Sequence, residues 1–569
     1  MIHPFQRWLI WYLLALWFAL GISGIHTPAD EQVYVQTQAL AKFSFTTVTD
    51  EDAAPPERPG TAVVALPFYL LGRVAGRAIG DAPGLSNGFV AQITALSAAV
   101  AAALTVVLLM QAGLALGLRK WSALAMAALI ALATPLLPYG ARLAPPAFGL
   151  LAMAMMLLPL LRFGFDDERS SMRLLLGAGL GLCLLLGDEM LVVFPFFALW
   201  TLVRLPKILA RATWAFSFIV PLSLALLLFF FFNKIVYGGW LAGSYGQPLW
   251  TEMWHKYVTQ PQLHSHSYWG RHLWPGLKFV LFSDGPMPAA MALARDLPHE
   301  LRNVVFRGLI VWCPLLLIGF AGAWSLGRDP ETKGVVRLLM LLFLLVVFMR
   351  ASAVEIATPL RYDISATFPL WAVWLVGLGY FVEHHLISSR GVVFRVIFIV
   401  MLGIALIVSA ANAALDLARH NAGHPPRAVG QWIDPPVDSI PSDLGAISIS
   451  SEPLPVQEES FFMPVWMTAD WLTRAPLQMV AACRPGINNL PLHATLLLVV
   501  GLIPLPFILF ARLAARRREE EDDFVEEDEP DDKPSDDDDE EEEDDDEPPD
   551  EENEDNDEVP DEKPPEYEI

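Results

Sequence analysis

The chain has 569 residues, 38 Lys and Arg against 63 Asp and Glu, a net charge of −25, and 54% hydrophobic residues. The charge is concentrated. Residues 519–569 carry 34 Asp/Glu and two Lys, Lys533 and Lys563, which leaves 36 basic and 29 acidic residues in 1–518, a net of +7. A body this apolar, and poorer in charge than the roughly 25% of a soluble domain, excludes an ordinary acidic soluble protein and reads as an integral membrane protein. Three cysteines, Cys183, Cys313 and Cys483, show neither a disulfide framework nor metal-ligand spacing.

A membrane-crossing helix needs about 20 apolar residues, and about twelve runs qualify (eleven to thirteen, because several abut). They lie near 8–25, 89–117, 121–141, 145–162, 173–188, 190–205, 213–233, 306–326, 335–350, 364–384, 393–414 and 491–511. The expected fold class is therefore all-α and polytopic. The first run contains Trp8, Trp11 and Trp17 and lacks a small-residue cleavage site, so it reads as a retained anchor. Basic clusters follow alternate runs: Arg119 and Lys120; Arg162, Arg169 and Arg173; Arg204, Lys207 and Arg211; Arg328, Lys333 and Arg337; Arg390 and Arg395; Arg512 and Arg516 to Arg518. With an even count these share one side, and the positive-inside rule places both termini in the cytoplasm. The long connections 26–88, 234–305 and 415–490 then face outward.

Four regions follow: a transmembrane domain over 1–414 with its large outer loops, a Pro-rich outer segment or small module over 415–490, a last helix with its basic flank over 491–518, and a tail over 519–569. The tail's like charges and lack of apolar residues predict cytoplasmic disorder. A basic protein would complement it electrostatically. No nucleic-acid partner is expected.

Directly after the first run comes His26-Thr-Pro-Ala-Asp30-Glu31-Gln-Val-Tyr34. Val33, Thr37 and Leu40 share one helical face, the spacing of an amphipathic helix lying on the membrane surface. Such a helix holds Asp30 and Glu31 at head-group level. The alternative is a solvated acidic cap at the helix start, favoured by the helix dipole.

This stretch resembles the first outer loop of the GT-C glycosyltransferases, polytopic enzymes that use polyprenyl-phosphate-linked sugars, and in particular their bacterial family-39-like members. Pro59 to Arg73 is similar to the hydrophobic segment that follows that loop. Leu132 to Arg142 resembles the outer end of their third span, Asn233 to Gly246 an outer segment, and Pro359-Leu-Arg361-Tyr362 the start of a late span. Gly187-Asp188-Glu189 stands where members often carry Arg-Pro-Glu, and Pro145-Pro146 where Ser/Thr-Glu-Pro is commoner.

The resemblance implies transfer of a glycosyl group from a polyprenyl-phosphate-linked sugar to a glycan, lipid or protein acceptor, on the extracytoplasmic side of a bacterial inner membrane. It implies Asp30 as the base that takes the acceptor proton, with Glu31 as its partner. Arg142 and Arg361 each end an apolar run on the outer side, where a planar fork matches phosphate oxygens. Tyr34, Tyr139, Asp188, Glu189, Tyr245 and Tyr362 are further substrate-binding candidates. No metal ligand set is expected and no cofactor is certain, although the clustered carboxylates are compatible with a divalent cation. The alternatives are a non-catalytic GT-C-like subunit of a membrane assembly and a transporter or flippase.

Overall fold

A computed structural model describes residues 4–25, 28–44, 58–79, 88–162, 170–186, 188–208, 212–241, 277, 281, 284–286, 305–307, 309–330, 332–353, 364–387, 391–421, 479–480, 482–484 and 486–502. All of them lie in one unit, Met1–Ile503. The acidic tail, most of 415–490 and most of 242–304 fall outside the described residues.

Every apolar run of the sequence lands on a helix. In chain order these are α1 (Pro4–Ala19), α2 (Pro28–Ala41), α3 (Gly60–Ile79), α4 (Phe89–Ala115), α5 (Lys120–Ala133), α6 (Leu136–Gly140), α7 (Pro145–Arg162), α8 (Ser170–Leu185), α9 (Asp188–Ile208) and α10 (Ala212–Val236). Then come α11 (Leu309–Trp312), α12 (Leu315–Leu326) and α13 (Lys333–Ala353). A 3₁₀ stretch, Ile364–Trp371, leads into α14 (Ala372–Phe381) and a π-helical turn, Val382–Ile387; α15 (Val392–Asn421) and α16 (Leu490–Leu502) complete the set. One short antiparallel pair, β1 (Asp284–Pro286) with β2 (Val305–Arg307), departs from the all-α expectation.

Among the described residues four helices are long and apolar enough to cross a membrane: Phe89–Ala115, Phe216–Val236, Thr367–Ile387 and Val392–Ala414. A fifth span results if the pair Ala482–Asn488 and Leu490–Leu502, bent by 67°, is counted as one. The difference from about twelve has a local cause: several predicted runs are helices shorter than a full crossing. Lys120–Ala133 and Leu315–Leu326 are examples. The run 121–141 breaks at Thr134-Pro135, since proline cannot donate within a helix interior and its ring clashes with the preceding turn.

Helix α4 is apolar all round and sits at the centre, flanked by α1, α3 and α7. Its buried hydroxyls are satisfied within the helix, while Gln92 Oε1 accepts from Asn489 Nδ2 at 2.9 Å. Thr94 Oγ1 donates to the Val90 carbonyl at 2.7 Å and Thr105 Oγ1 to the Ala101 carbonyl at 2.8 Å. Helix α15 does the reverse: Val393, Phe394, Ile397, Val400, Ile404 and Ile407 are exposed. So large an apolar face is incompatible with water and natural in hydrocarbon, where every backbone group is bonded inside the helix. The chain is an integral membrane protein by this argument.

Where α12 crosses α14, small residues let the backbones touch. A Cβ added at Gly322 would fall inside van der Waals contact with the Gly377 carbonyl oxygen, and one at Gly377 would meet the Gly319 carbonyl the same way. Close approach of this kind is the usual basis of helix association in a bilayer. Gly322→Val should separate the two helices and lower stability by about 2–3 kcal/mol, the scale of an overpacked core, measured as a reduced unfolding midpoint in detergent. An unchanged midpoint would show that the crossing relaxes freely.

Candidate functional site

Helix α2 starts at Pro28, a residue pre-set for the first helical position, and places Asp30 and Glu31 in its first turn, where backbone N–H groups favour negative charge. The fold then separates the two carboxylates. Asp30 is fully buried, at 0% exposure, whereas Glu31 is exposed. Asp30 joins the face of α2 that also buries Val33, Tyr34 and Thr37. The solvated-cap alternative therefore does not describe Asp30. Tyr34 meets Tyr69 of α3 edge-on, with ring centroids 5.8 Å apart, and the Arg73 guanidinium lies 5.9 Å from the Tyr69 ring. Burial raises the Tyr69 phenol above its ordinary value, and the Arg73 charge offsets part of that rise.

Arg142 arrives from the other side of the site. At the break after α5, Thr134 Oγ1 donates to the Ile130 carbonyl at 2.7 Å and accepts from the Leu136 amide at 3.2 Å, which fixes the turn into α6. Arg142 follows α6, its amide bonded to the Tyr139 carbonyl at 3.3 Å. Its side chain is buried, with Nε 3.9 Å from Asp30 Oδ2 and the guanidinium carbon 5.6 Å from the Tyr139 ring centre. At 3.9 Å the contact is an ion pair and too long for a hydrogen bond. Behind Tyr139 stands an aromatic wall: Phe368 at 5.4 Å, Trp312 at 6.5 Å, and Trp371 packed on both of these.

The backbones that carry these groups meet at Gly21, just past α1. A Cβ there would lie 2.8 Å from Ala141 Cβ and 3.1 Å from Leu417 Cδ1. Only a glycine lets the end of α1, the residue before Arg142 and the C-terminal turns of α15 converge so closely.

Of the residues expected from the sequence, the structure brings together Asp30, Arg142 and Tyr139, with Tyr34 on the same helix as Asp30. Asp188 and Glu189 begin α9, and their side chains are outside the described residues, as are Arg361, Tyr362 and Tyr245. Among the described residues no group of three or more His, Cys, Asp or Glu could hold a metal ion.

Three polar clusters escaped the sequence reading. Arg58, 5% exposed, donates from Nη1 to Asn233 Oδ1 at 3.2 Å and lies 4.9 Å over the Phe229 ring. The available signal was Arg58-Pro59-Gly60 directly before an apolar helix, with Gly60 packed so tightly that a Cβ would sit 2.6 Å from the Leu185 carbonyl. Glu383, a carboxylate inside an apolar run, accepts a hydrogen bond from Ser122 Oγ and pairs with Arg119 Nε at 3.1 Å, at the far end of α5 from Arg142. Asp416 accepts from Trp312 Nε1 at 2.6 Å.

No protein-family profile matches the chain, and no curated protein matches it. The structure is similar to that of ArnT from Cupriavidus metallidurans bound to undecaprenyl phosphate: 14% identity, TM-score 0.41, covering 74% of this chain and 71% of that one. It is also similar to the archaeal oligosaccharyltransferase AglB from Archaeoglobus fulgidus in complex with an inhibitory peptide and a dolichol-phosphate. Identity there is 13% and the TM-score 0.40, over 75% of this chain and 56% of the other. At scores this low the functional reading rests on the chain's own residues.

Proposed function

We propose that the chain is a GT-C-like membrane glycosyltransferase, moving a glycosyl group from a polyprenyl-phosphate-linked sugar to an acceptor on the extracytoplasmic side of a bacterial inner membrane. Asp30 takes the acceptor proton and Arg142 holds the lipid phosphate. The observation that carries this reading is the pairing of Asp30 with Arg142, 112 residues apart in sequence, in a buried position. The reaction needs both kinds of group. A carboxylate removes the proton of the attacking hydroxyl, and a guanidinium stabilises charge that accumulates on the departing phosphate. Burial strengthens both contributions, because water no longer screens them.

The carboxylate and guanidinium neutralise one another in this arrangement, so an arriving lipid phosphate competes with Asp30 for Arg142. Binding the donor then releases the carboxylate toward the acceptor. The same pairing also favours a second reading, a non-catalytic relative in which the ion pair is purely structural.

Turnover separates the two. The purified protein in lipid nanodiscs, supplied with polyprenyl-phosphate-linked pentoses and hexoses and with membrane glycolipid acceptors, should release sugar-free polyprenyl phosphate at a rate above that of protein-free discs. No release from any donor, together with stoichiometric partner proteins on purification, would replace the catalytic reading with the structural one.

A further inference from the structure

We infer that Asp416 is a second carboxylate of this site, one that holds hydroxyls of the glycosyl group on the lipid-linked donor; this rests on the glycosyltransferase reading above. The apolar part of α15 ends at Ala414, so Asp416 lies just beyond the span, half-buried on the helix's polar end. Three observations tie it to Asp30 and Arg142.

First, Trp312 Nε1 donates to Asp416 Oδ2 at 2.6 Å, and the Trp312 ring packs edge-on to Tyr139, the ring over which the Arg142 guanidinium lies. Second, one turn earlier, Asn412 Nδ2 donates to the Trp312 carbonyl at 2.7 Å and to the Val311 carbonyl at 3.3 Å, locking α11 to α15 in that register. Third, Leu417, the next residue, meets Ala141, the residue before Arg142, across Gly21, and Asn421 Nδ2 donates to the Gly21 carbonyl at 3.0 Å. The C-terminal turns of α15 are thus pinned to the two segments that deliver Asp30 and Arg142.

A sugar joined to a lipid phosphate begins one oxygen away from that phosphate. With the phosphate on Arg142, the ring hydroxyls must be met by acceptors on the neighbouring wall. An ionised carboxylate has acceptor capacity for several hydroxyls. The indole N–H fixes one of its oxygens, so its direction is set before the sugar arrives. A residue that merely clamped α15 would do so equally well for any ligand, and that difference makes the inference testable.

The test compares wild type, Asp416→Asn and Trp312→Phe in lipid nanodiscs, titrated with a polyprenyl-phospho-hexose, a polyprenyl-phospho-pentose and sugar-free polyprenyl phosphate. Asparagine keeps the shape and the oxygen that accepts from Trp312 but removes the charge. A hydrogen bond to a charged group lost from the complex weakens binding by about tenfold or more, so Asp416→Asn should weaken the sugar-bearing lipid that wild type prefers by that factor and leave the sugar-free lipid unchanged. Trp312→Phe should do the same to a smaller degree, and it carries the test should Asp416→Asn fail to fold. Equal losses for all three lipids, or no loss for any, would overturn the inference while leaving the glycosyltransferase reading in place. A wild-type protein that bound none of the three would overturn that reading too.

Discussion

Asp30→Asn should reduce glycosyl transfer by about 10²–10⁴-fold, the range that a positioned base contributes, with unchanged abundance in the membrane. Asparagine occupies the same volume on the buried face of α2 and still offers an oxygen to Arg142, so packing survives while the proton acceptor is lost. Glu31→Gln provides the internal comparison. The two residues are adjacent in sequence, yet Glu31 is exposed and Asp30 is fully buried. A proton-accepting role for the buried group predicts a much smaller effect at Glu31. Transfer rates measured with a labelled lipid-linked sugar decide the matter. Undiminished transfer by the Asp30 variant would remove the base from this position, and equal losses at both positions would point to the pair acting as a unit.

The second large effect belongs to Arg142. Arg142→Met leaves a buried carboxylate without its paired cation, and breaking such a pair by removing one partner costs about 3–5 kcal/mol. The variant should unfold at markedly lower denaturant and also lose affinity for sugar-free polyprenyl phosphate. The double variant Asp30→Asn/Arg142→Met should recover much of the stability, because no unmatched charge remains, but none of the lipid affinity. That split distinguishes two contributions of one guanidinium: neutralising Asp30 and gripping phosphate. Full recovery of binding in the double variant would assign Arg142 to structure alone.

The limits of the sequence are visible at particular residues. Each run of apolar residues foretold a described helix, because helix formation in an apolar setting depends on local composition and length, whereas α2 and α3 lie in the connection 26–88, outside those runs. Their number as complete crossings was less legible. Thr134-Pro135 divides one run into α5 and α6, and others form helices too short for a crossing. The first-loop carboxylates stood out through an adjacent Asp-Glu pair beside an apolar boundary, and Arg142 through its position at the end of a run. Nothing in the spacing said which of the two carboxylates turns inward. That is settled by the α2 face on which Val33, Tyr34 and Thr37 pack.

Asp416 illustrates a different loss of information. In sequence it opens a polar segment and has no motif around it. Its link to Trp312 spans 104 residues and exists because Asn412 and Asn421 fix α15 by side-chain hydrogen bonds to distant carbonyl groups. Arg58 and Asn233 are likewise joined across 175 residues. Such pairs depend on where helices come to lie, a property that no window of neighbouring residues encodes.

By itself, the sequence determined that the body of this protein is helical and belongs in a membrane, and that the net charge of −25 divides into −32 in the last 51 residues and +7 on the rest. Composition and run length suffice for that, since each helix satisfies its own backbone and each apolar surface seeks hydrocarbon. Only the tertiary structure decided that Asp30 rather than Glu31 is buried, that Arg142 faces it, and that Asp416 stands beside the same aromatic wall. Those relations are set by close helix contact at Gly21 and by long-range side-chain bonds, where a difference of one methyl group or one helical turn changes which charges meet.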